Sequence, residues 1–361
     1  MIKNFILFFI VFFLHSFSVY AHNPDYLEAK VVKVLEQKNV VSEINNTPQT
    51  YQKLELLIIK GDHKDDTIIV ENGLVPLSNP QIYRQNDRLI LTVDQDLQSN
   101  PFYTITDYVR RDSLSLLFIV FALLVILVAK WKGFSSLLSM ALSFLIIFKF
   151  VLPQLLTGAN PILIGILASL LIISLTFYLS HGVSRKTTVA VLGTLISLII
   201  SGFLAIIFVN LAHLSGFASE EAGFLQEATT GSINIKNLLI SGIIIGLLGI
   251  LDDITIAQSA IVVQLKIAAP NLKPRQLFSQ AMAVGQDHIA SMVNTLILVY
   301  AGAALPLLLL FIDNPQPFSQ VINTELISEE IIRTLVASIG LIMAVPVTTL
   351  LAVFVSNKPT K

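Results

Sequence analysis

The chain has 361 residues, of which 54% are hydrophobic and only 13% are charged. Together with a mean hydropathy of +0.76, this composition is typical of a membrane protein and excludes an ordinary soluble domain. The net charge of −1 gives no basic surplus for binding nucleic acid. Because the chain has no cysteine, disulfides, thiolate metal sites and cysteine nucleophiles are excluded as well.

Residues 1–21 have the pattern of a signal peptide. Lys3 precedes an apolar run over 5–17, and Val19 and Ala21 give the small-x-small pattern of a signal-peptidase site. The sequence therefore predicts a cleaved signal peptide. An uncleaved anchor with its N-terminus in the cytoplasm is the alternative, and both interpretations place the next segment outside the cytoplasm.

Residues 22–110 differ in composition from the rest of the chain. Short stretches rich in β-branched and aromatic residues alternate with clusters of Asn, Asp, Gly and Pro, which is typical of strands joined by turns. This pattern predicts a small extracytoplasmic β domain of five or six strands, closed into a barrel of the OB or SH3 type that protects its edges. The predicted strands are 30–35, 51–59, 67–70, 88–93 and 102–105.

Segment 61–66 reads Gly-Asp-His-Lys-Asp-Asp and is predicted to be a hairpin loop between two strands. A cation site is the alternative, because four of these side chains carry ligand atoms. Turns favour the same residue types for backbone reasons, so the loop interpretation is preferred. The four side chains are Asp62, His63, Asp65 and Asp66.

Residues 111–356 are predicted to form a transmembrane helical domain, followed by a cytoplasmic tail of residues 357–361. A hydrocarbon core of about 30 Å requires about 20 helical residues, and seven apolar runs are long enough. Cations follow the predicted cytoplasmic ends of these runs and the outer loops are mainly acidic, which places the N-terminal domain outside and the C-terminus in the cytoplasm. The runs are 113–130, 134–152, 161–180, 188–209, 236–257, 291–312 and 333–355.

Two adjacent carboxylates, Asp252 and Asp253, interrupt one of these runs. The apolar segment 238–251 covers only about 21 Å of a hydrocarbon core of about 30 Å, so the span must continue past both residues. A carboxylate at bilayer depth costs roughly 2.5–3.5 kcal/mol even on lenient scales, which favours a functional role in an ion or substrate pathway. The polar residues that share or adjoin the helical face of Asp252 are Thr255, Gln258 and Ser259.

A second polar stripe lies on the next predicted helix. Asp287, Ser291 and Asn294 recur at helical spacing, and His288 and Thr295 lie beside them. Both stripes approach the membrane from the predicted cytoplasmic side, so one shared cavity is expected; the alternative places Asp287 and His288 in the headgroup region. No cofactor is implied, although these oxygen atoms and one imidazole would suit a hard divalent cation such as Mg²⁺ or Mn²⁺. The residues available to such a cation are Asp252, Asp253, Asp287 and His288.

Three glycines, Gly242, Gly246 and Gly249, fall on one side of the helix that carries Asp252. A stripe of small residues lets another backbone approach closely, so we expect a helix-packing seam there. Lys149 is the other charge within a predicted span. It lies about 22 Å from the cytoplasmic start of its helix, near the outer face, so we do not expect it to pair with the aspartates.

The motifs on these helices resemble the YibE/F-like family of bacterial multi-pass membrane proteins. The resemblance rests on residues 242–258, which include the Asp pair, on 287–295, and on 300–306. It implies a protein of the bacterial cytoplasmic (inner) membrane. It implies no particular activity.

Three functions remain open from the sequence. A secondary transporter or permease for a small solute or cation is favoured, because charged residues within spans usually face pathways. A non-catalytic scaffold for envelope assembly, whose β domain would bind an envelope protein, is the alternative. An intramembrane aspartyl hydrolase would need Asp287 to complement the Asp252–Asp253 pair, and the Gly-x-Gly-Asp signature of such proteases is absent. The expected partners are the lipid bilayer, a small solute or ion and that envelope protein, without nucleic acid.

Overall fold

The computed structural model describes residues 26–41, 48–61, 63–73, 81–95, 101–313 and 317–356. The chain divides into two compact units, Met1–Phe121 and Ala122–Lys361, which are treated separately below. The predicted signal peptide and the predicted cytoplasmic tail lie outside the described residues, as does Asp62 of the predicted hairpin loop.

The first unit contains a five-stranded antiparallel sheet with strand order β3-β2-β1-β4-β5. Each of the five predicted strands overlaps one of the observed strands, so the strand count is confirmed. The sheet is a half-barrel, because β3 and β5 remain edge strands among the described residues, whereas the prediction was a closed barrel. The strands are β1 (Tyr26–Val41), β2 (Pro48–Lys60), β3 (Thr67–Asn72), β4 (Arg88–Gln95) and β5 (Pro101–Tyr108).

One face of this sheet forms the core of the unit. Alternate residues of a strand point to the same face, and the buried residues of the three central strands follow this period of two. Three irregularities in the pairing of β1 with β2 bend the long first strand, which curves the sheet around its core. The buried residues are Leu27, Ala29 and Val31 on β1, Leu54, Leu56 and Ile58 on β2, and Leu89 and Leu91 on β4.

The turn between β2 and β3 has the geometry of a hairpin loop. Gly61 and Asp65 have positive φ angles of 120° and 75°, which glycine and aspartate adopt most readily among common residues. The amide of Asp65 donates to the carbonyl of Ile58 at 2.9 Å. The positive φ angles and this hydrogen bond support the hairpin interpretation.

A charged network lies where the sheet meets the first helix. Glu28 is only 8% exposed, and both of its carboxylate oxygens accept hydrogen bonds from the guanidinium of Arg111, one of them at 2.6 Å. Arg88 and Lys60 approach the same carboxylate at 3.5 and 3.6 Å. The hydrogen bond from Arg111 holds the pKa of Glu28 below its ordinary value of 4.5, and the nearby cations add to this effect.

Nearby carboxylates explain why two arginines lie where the positive-inside rule predicts few cations. Arg110 and Arg111 fall at the predicted outer end of the first span, where cations are unexpected. Arg111 is paired with Glu28, and Arg110 donates to Asp107 at 2.6 Å. Their charges are therefore balanced by local carboxylates.

Replacing Glu28 by Gln is expected to destabilise the sheet by about 1–2 kcal/mol at neutral pH, because three cations lose their shared carboxylate. Because the pKa of Glu28 is lower in the folded than in the unfolded protein, its ionised form stabilises the fold. This stabilisation is fully present at pH values above the unfolded-state pKa, and it is lost as the pH falls through the folded-state pKa. The E28Q and wild-type proteins should therefore differ at pH 7 and converge only as the pH falls below the ordinary pKa of 4.5 and through the lowered folded-state pKa of Glu28. Hydrogen–deuterium exchange of β1 and β4 amides, compared at equal pH, measures the difference.

The matched control is E36Q, because Glu36 is a solvent-exposed residue of the same strand and pairs only with exposed Lys38. E36Q should leave amide protection close to that of the wild type. An E28Q protein with wild-type protection at pH 7 would show that the network contributes no stability.

The second unit is helical, and its first helix continues from the first unit. The helices of the chain vary from four to 36 residues in length. They are α1 (Arg111–Ile146), which passes through a π-helical turn (Ile147–Val151) into α2 (Leu152–Leu156), α3 (Pro161–His181), α4 (Arg185–Leu211), α5 (Glu220–Ala228), α6 (Ile235–Ala268), α7 (Pro274–Ala303), α8 (Leu305–Asp313), α9 (Phe318–Val321) and α10 (Glu325–Ser356).

Helix α1 is sharply bent at Lys130, where φ is 52° and ψ is −128°. A Cβ placed on Gly133 would lie 2.3 Å from the carbonyl oxygen of Val125, although residues eight apart in a straight helix are separated by about 12 Å. The bend therefore gives α1 two arms, 111–129 and 131–146. The arms coincide with the predicted spans 113–130 and 134–152.

Five helical segments of the described chain are long and apolar enough to cross a membrane. They are Arg111–Leu156, taken as one segment, and α3, α4, α6 and α10, which match four further predicted spans. The remaining predicted span, 291–312, is divided between α7 and α8 next to Pro306. The described chain therefore has five candidate membrane spans, and a total of seven stays a prediction.

Helices α3, α4, α6 and α10 pack around one hydrophobic core and approach each other through small residues. A Cβ on Gly193 of α4 would lie 2.2 Å from the hydroxyl oxygen of Thr348 on α10, and one on Gly340 would lie 2.2 Å from that of Ser201. Gly165 of α3 is similarly close to Ser241 of α6. Such contacts are typical of helices packed in membranes.

The packing seam lies at these positions and not at the predicted glycines. Gly242, Gly246 and Gly249 are exposed, and no described heavy atom outside their own surroundings lies within 4 Å of a Cβ built on any of them. The three glycines form an exposed, smooth face of α6, and the predicted seam is not formed there with any described helix of this chain. Spacing alone does not reveal whether another helix of the same chain covers that face, since hydrophobic residues surround it on all sides.

We expect opposite effects from alanine at two of these glycines. G193A should lower stability by about 1–3 kcal/mol, because the new methyl group enters the contact with Thr348. G246A should raise it by up to about 1 kcal/mol, since an exposed helical glycine gains helix propensity on becoming alanine. Thermal unfolding of both variants in the same detergent measures the difference. A destabilised G246A would instead show that a molecule outside this chain covers the smooth face.

Candidate functional site

Helix α6 places the Asp pair near the middle of its own length. The helix has 34 residues and is about 51 Å long. Asp252 lies about 26 Å from the start of the helix and about 24 Å from its end. Lys236 and Lys266 occupy the two ends, so the carboxylates are the polar groups farthest from either terminal cation.

Both carboxylates line a cavity of about 580 Å³ between α6, α3 and α1. The wall opposite α6 carries hydroxyl groups of α1 and α3, and this set is called the hydroxyl wall below. The hydroxyl groups of α1 are spaced so that they share one helical face of its second arm. Apolar side chains, among them Ile147, Ile172 and Phe177, complete the lining. The hydroxyl residues are Ser136, Ser139 and Ser143 on α1, and Thr176 and Ser180 on α3.

Hydrogen bonds hold this hydroxyl wall in place. The Oγ atoms of Ser139 and Ser180 lie 2.7 Å apart and join α1 to α3. Ser143 donates to the carbonyl of Ser139 at 3.0 Å, and Thr176 donates to that of Ile172 at 2.8 Å. A hydroxyl that donates its hydrogen keeps lone pairs on its oxygen, so the wall offers fixed acceptor oxygens to a ligand.

The two carboxylates differ in their surroundings. Asp252 is half-buried and Asp253 is exposed, and the Oδ1 atom of Asp252 is buried without a hydrogen-bond partner. Within the described residues the salt bridges of the second unit join Arg333 to Glu329 and Glu330 and involve neither aspartate. Lys132 and His181 line the same cavity. The cavity therefore contains one lysine in its lining, and neither aspartate has an ion-pair partner among the described residues.

The other polar residues of α6 serve packing. Thr255 and Thr194 are completely buried, and their hydroxyl oxygens are 2.7 Å apart, which joins α6 to α4. Gln258 is also completely buried. Its amide donates to the carbonyl of Ala281 at 3.0 Å and to the hydroxyl of Thr349 at 2.7 Å. The predicted polar stripe thus separates into cavity residues and residues that join α6 to α4, α7 and α10.

The second predicted stripe does not reach the cavity. The structure leaves Asp287, Ser291, Asn294 and Thr295 exposed and His288 half-buried, and none of them lines the cavity of Asp252. The reason is the position of α7 around α6. A Cβ on Gly285 would lie 3.1 Å from the side-chain amide of Gln258, so α7 contacts the Gln258 face, about 120–140° around the helix from the two carboxylates.

The predicted ligand set for a divalent cation is accordingly not assembled. Asp287 and His288 lie apart from the Asp252 cavity, and no group of three or more histidine or acidic side chains in the described parts of the chain could hold a metal ion. Lys149 is exposed and does not line the cavity, as expected from its depth.

Sequence reasoning missed the hydroxyl wall. Ser136, Ser139 and Ser143 lie at i, i+3 and i+7, which is the spacing of one helical face. This signal was present in the second apolar run. It was weak because serine is common in membrane helices and usually bonds to its own backbone.

Long apolar helices that pack against each other through small residues are typical of helical membrane proteins. A family model described as YibE/F-like protein matches residues 117–358. The chain therefore belongs to the YibE/F-like family, as its motifs indicated. Comparison with curated proteins and with solved structures gave no match.

Proposed function

We propose that this protein is a secondary transporter or permease for a small solute or cation, and that the cavity of Asp252 and Asp253 is its binding site. The proposal includes the orientation expected from the sequence, in the bacterial cytoplasmic membrane with the N-terminal domain outside and the C-terminus in the cytoplasm. The observation that carries it is a pair of carboxylates without an ionic partner at the middle of a long apolar helix, facing a polar cavity.

The energetic cost of these carboxylates supports a role in transport. A charged side chain among apolar helices usually pairs with an opposite charge or lines a pathway. Asp252 has a buried, unpaired oxygen atom, and an unsatisfied buried acceptor costs about 1–3 kcal/mol. A bound proton or cation would remove this cost. The site would thus change its affinity for the solute when the coupling ion binds or leaves.

The chemistry of the cavity restricts its ligand. Carboxylate and hydroxyl oxygens are hard ligands, which favour a proton or a hard cation over a soft metal. A volume of about 580 Å³ falls within the usual range for small-molecule sites. The apolar side chains of the lining leave room for the uncharged part of a small solute.

A second candidate, a scaffold for envelope assembly, is favoured by the open sheet of the first unit. Its β5 edge strand exposes Phe102 with 58% of the side chain accessible, and the β3 edge strand exposes Ile69 with 57%. Unpaired edges with apolar side chains can bind another chain by adding a strand. The hydrolase alternative gains no support, because Asp287, its required second carboxylate, does not line the cavity.

The test is ion movement in proteoliposomes that contain the purified full-length protein and the internal pH dye pyranine. Inward gradients of Na⁺, K⁺, Mg²⁺ or Mn²⁺ are applied, and dye response and cation uptake are recorded. We expect flux with at least one ion in the wild type and a loss of at least tenfold in D252N. Asparagine keeps the shape of the side chain and removes its charge, so the melting temperature should not fall.

The matched control is D287N, the same substitution at an exposed residue outside the cavity, which should retain flux within about twofold. Wild-type flux that persists in both D252N and D253N would refute the role of the pair. Absence of flux with every gradient in the wild type would refute cation coupling. A D252N protein that fails to fold would assign the pair to assembly and favour the scaffold.

A further inference from the structure

A second cavity lies at the end of the helical unit where α4 begins and where α6 and α10 end. Its volume is about 430 Å³. It shares no lining residue with the cavity of the Asp pair, and none of its residues was singled out as a site from the sequence. Its lining combines three cations with apolar side chains and, unlike the proposed transport site, contains no carboxylate.

The cations of this cavity come from two helices. Arg185 and Lys186 occupy the first turn of α4, and Lys266 lies in the last turn of α6. No acidic residue is among its described lining residues, so the three positive charges are not neutralised inside it. Such a cavity attracts a phosphate or another anion.

Local contacts fix the positions of these groups. The hydroxyl of Ser259 on α6 donates to the carbonyl of Lys186 at 2.9 Å, which holds the start of α4 against α6. Ser184 caps α4 by accepting a hydrogen bond from the amide of Thr187 at 3.2 Å. The Nζ atom of Lys266 donates to the carbonyls of Pro270 and Leu272 at 2.9 and 3.3 Å, and it keeps one hydrogen for a ligand.

The start of α4 adds to the attraction for an anion. The first backbone amides of a helix have no partner within the helix, and the helix dipole is positive at that end. Arg185 and Lys186 therefore surround a helix terminus that already favours negative charge. The charged side chains and the helix end act on the same small volume.

The rest of the lining is apolar, and this distinguishes the site from a simple phosphate site. Val189, Val263 and Ala352 form the inner wall, and Ile267 lies at the rim. Ile267 is 66% exposed although it is a large aliphatic residue next to a lysine. A ligand with one charged end and a hydrocarbon part would satisfy both halves of the lining.

We propose that this cavity binds the headgroup of an anionic phospholipid. The phosphate would contact Arg185, Lys186 and the start of α4, and the acyl chains would follow the apolar wall and the surface beside Ile267. A lipid at this position would bridge α4, α6 and α10, the helices whose mutual contacts bury Thr194, Thr255 and Thr348. Because cations mark the predicted cytoplasmic side, this lipid belongs to the inner leaflet.

Native mass spectrometry of the full-length protein tests the proposal with dioleoyl-phosphatidylglycerol as the probe. The variant R185Q/K186Q should bind this lipid roughly thirtyfold more weakly than the wild type, which corresponds to about 2 kcal/mol for two cations. The control K273Q/R275Q removes two exposed cations at the start of α7 that do not line the cavity, and it should bind within about twofold of the wild type.

Three comparisons complete the experiment. Dioleoyl-phosphatidylcholine should bind at least tenfold more weakly than phosphatidylglycerol, and equal binding would refute recognition of the negative charge. Inorganic phosphate and glycerol 3-phosphate should not displace the lipid at millimolar concentration, and displacement would assign the cavity to a free phosphate. Equal losses in both double variants would refute a localised site.

Folding of R185Q/K186Q is checked by its melting temperature and by the conservative variant R185K/K186R, which should retain lipid binding. A further variant, V355W, fills the cavity without changing its charge. It should lower lipid binding at least tenfold, and unchanged binding in V355W would place the lipid elsewhere.

Discussion

The structure of the helical unit depends on the close approach of α4 to α6 and α10. The hydroxyls of Thr194 and Thr255 meet at 2.7 Å, and Gly193 leaves no room for a side chain beside Thr348. Lipid-facing surfaces provide no hydrophobic driving force between helices, so association depends on such close packing and on buried hydrogen bonds. The contacts fix one side of α6. They leave its other side free to form the wall of a cavity.

This arrangement divides the polar residues of α6 between two tasks. Thr255 and Gln258 are completely buried and bonded to neighbouring helices, while Asp252 and Asp253 face α1 and α3 across the cavity. Residues only a few positions apart on one helix therefore either bond to neighbouring helices or line the cavity.

Local patterns in the sequence predict much of the fold but only part of the candidate site. Short stretches rich in β-branched and aromatic residues, bounded by turn residues, predicted the five strands, because such residues pack well on a half-buried sheet. Run length predicted the long helices, and length arithmetic placed Asp252 within a span. What could not be predicted is which helix covers which side of α6. Gln258 and Asp252 are both polar residues of one helix, and only the packing of Gly285 of α7 against Gln258 shows that Gln258 is packed whereas Asp252 lines a cavity. The open sheet edges escaped prediction for the same reason, because closure depends on the pairing of distant strands.

The bend at Lys130 also affects the wall of the cavity. A break in helical backbone exposes amide and carbonyl groups that hydrocarbon cannot satisfy, so it must lie against water, protein or the headgroup layer. Lys130, Trp131 and Lys132 at the bend are residues that prefer that layer. Lys132 also lines the cavity, so the segment at the bend contributes a cation to the cavity wall. The bend therefore sets where the second arm of α1 begins, and this arm carries Ser136, Ser139 and Ser143 of the hydroxyl wall.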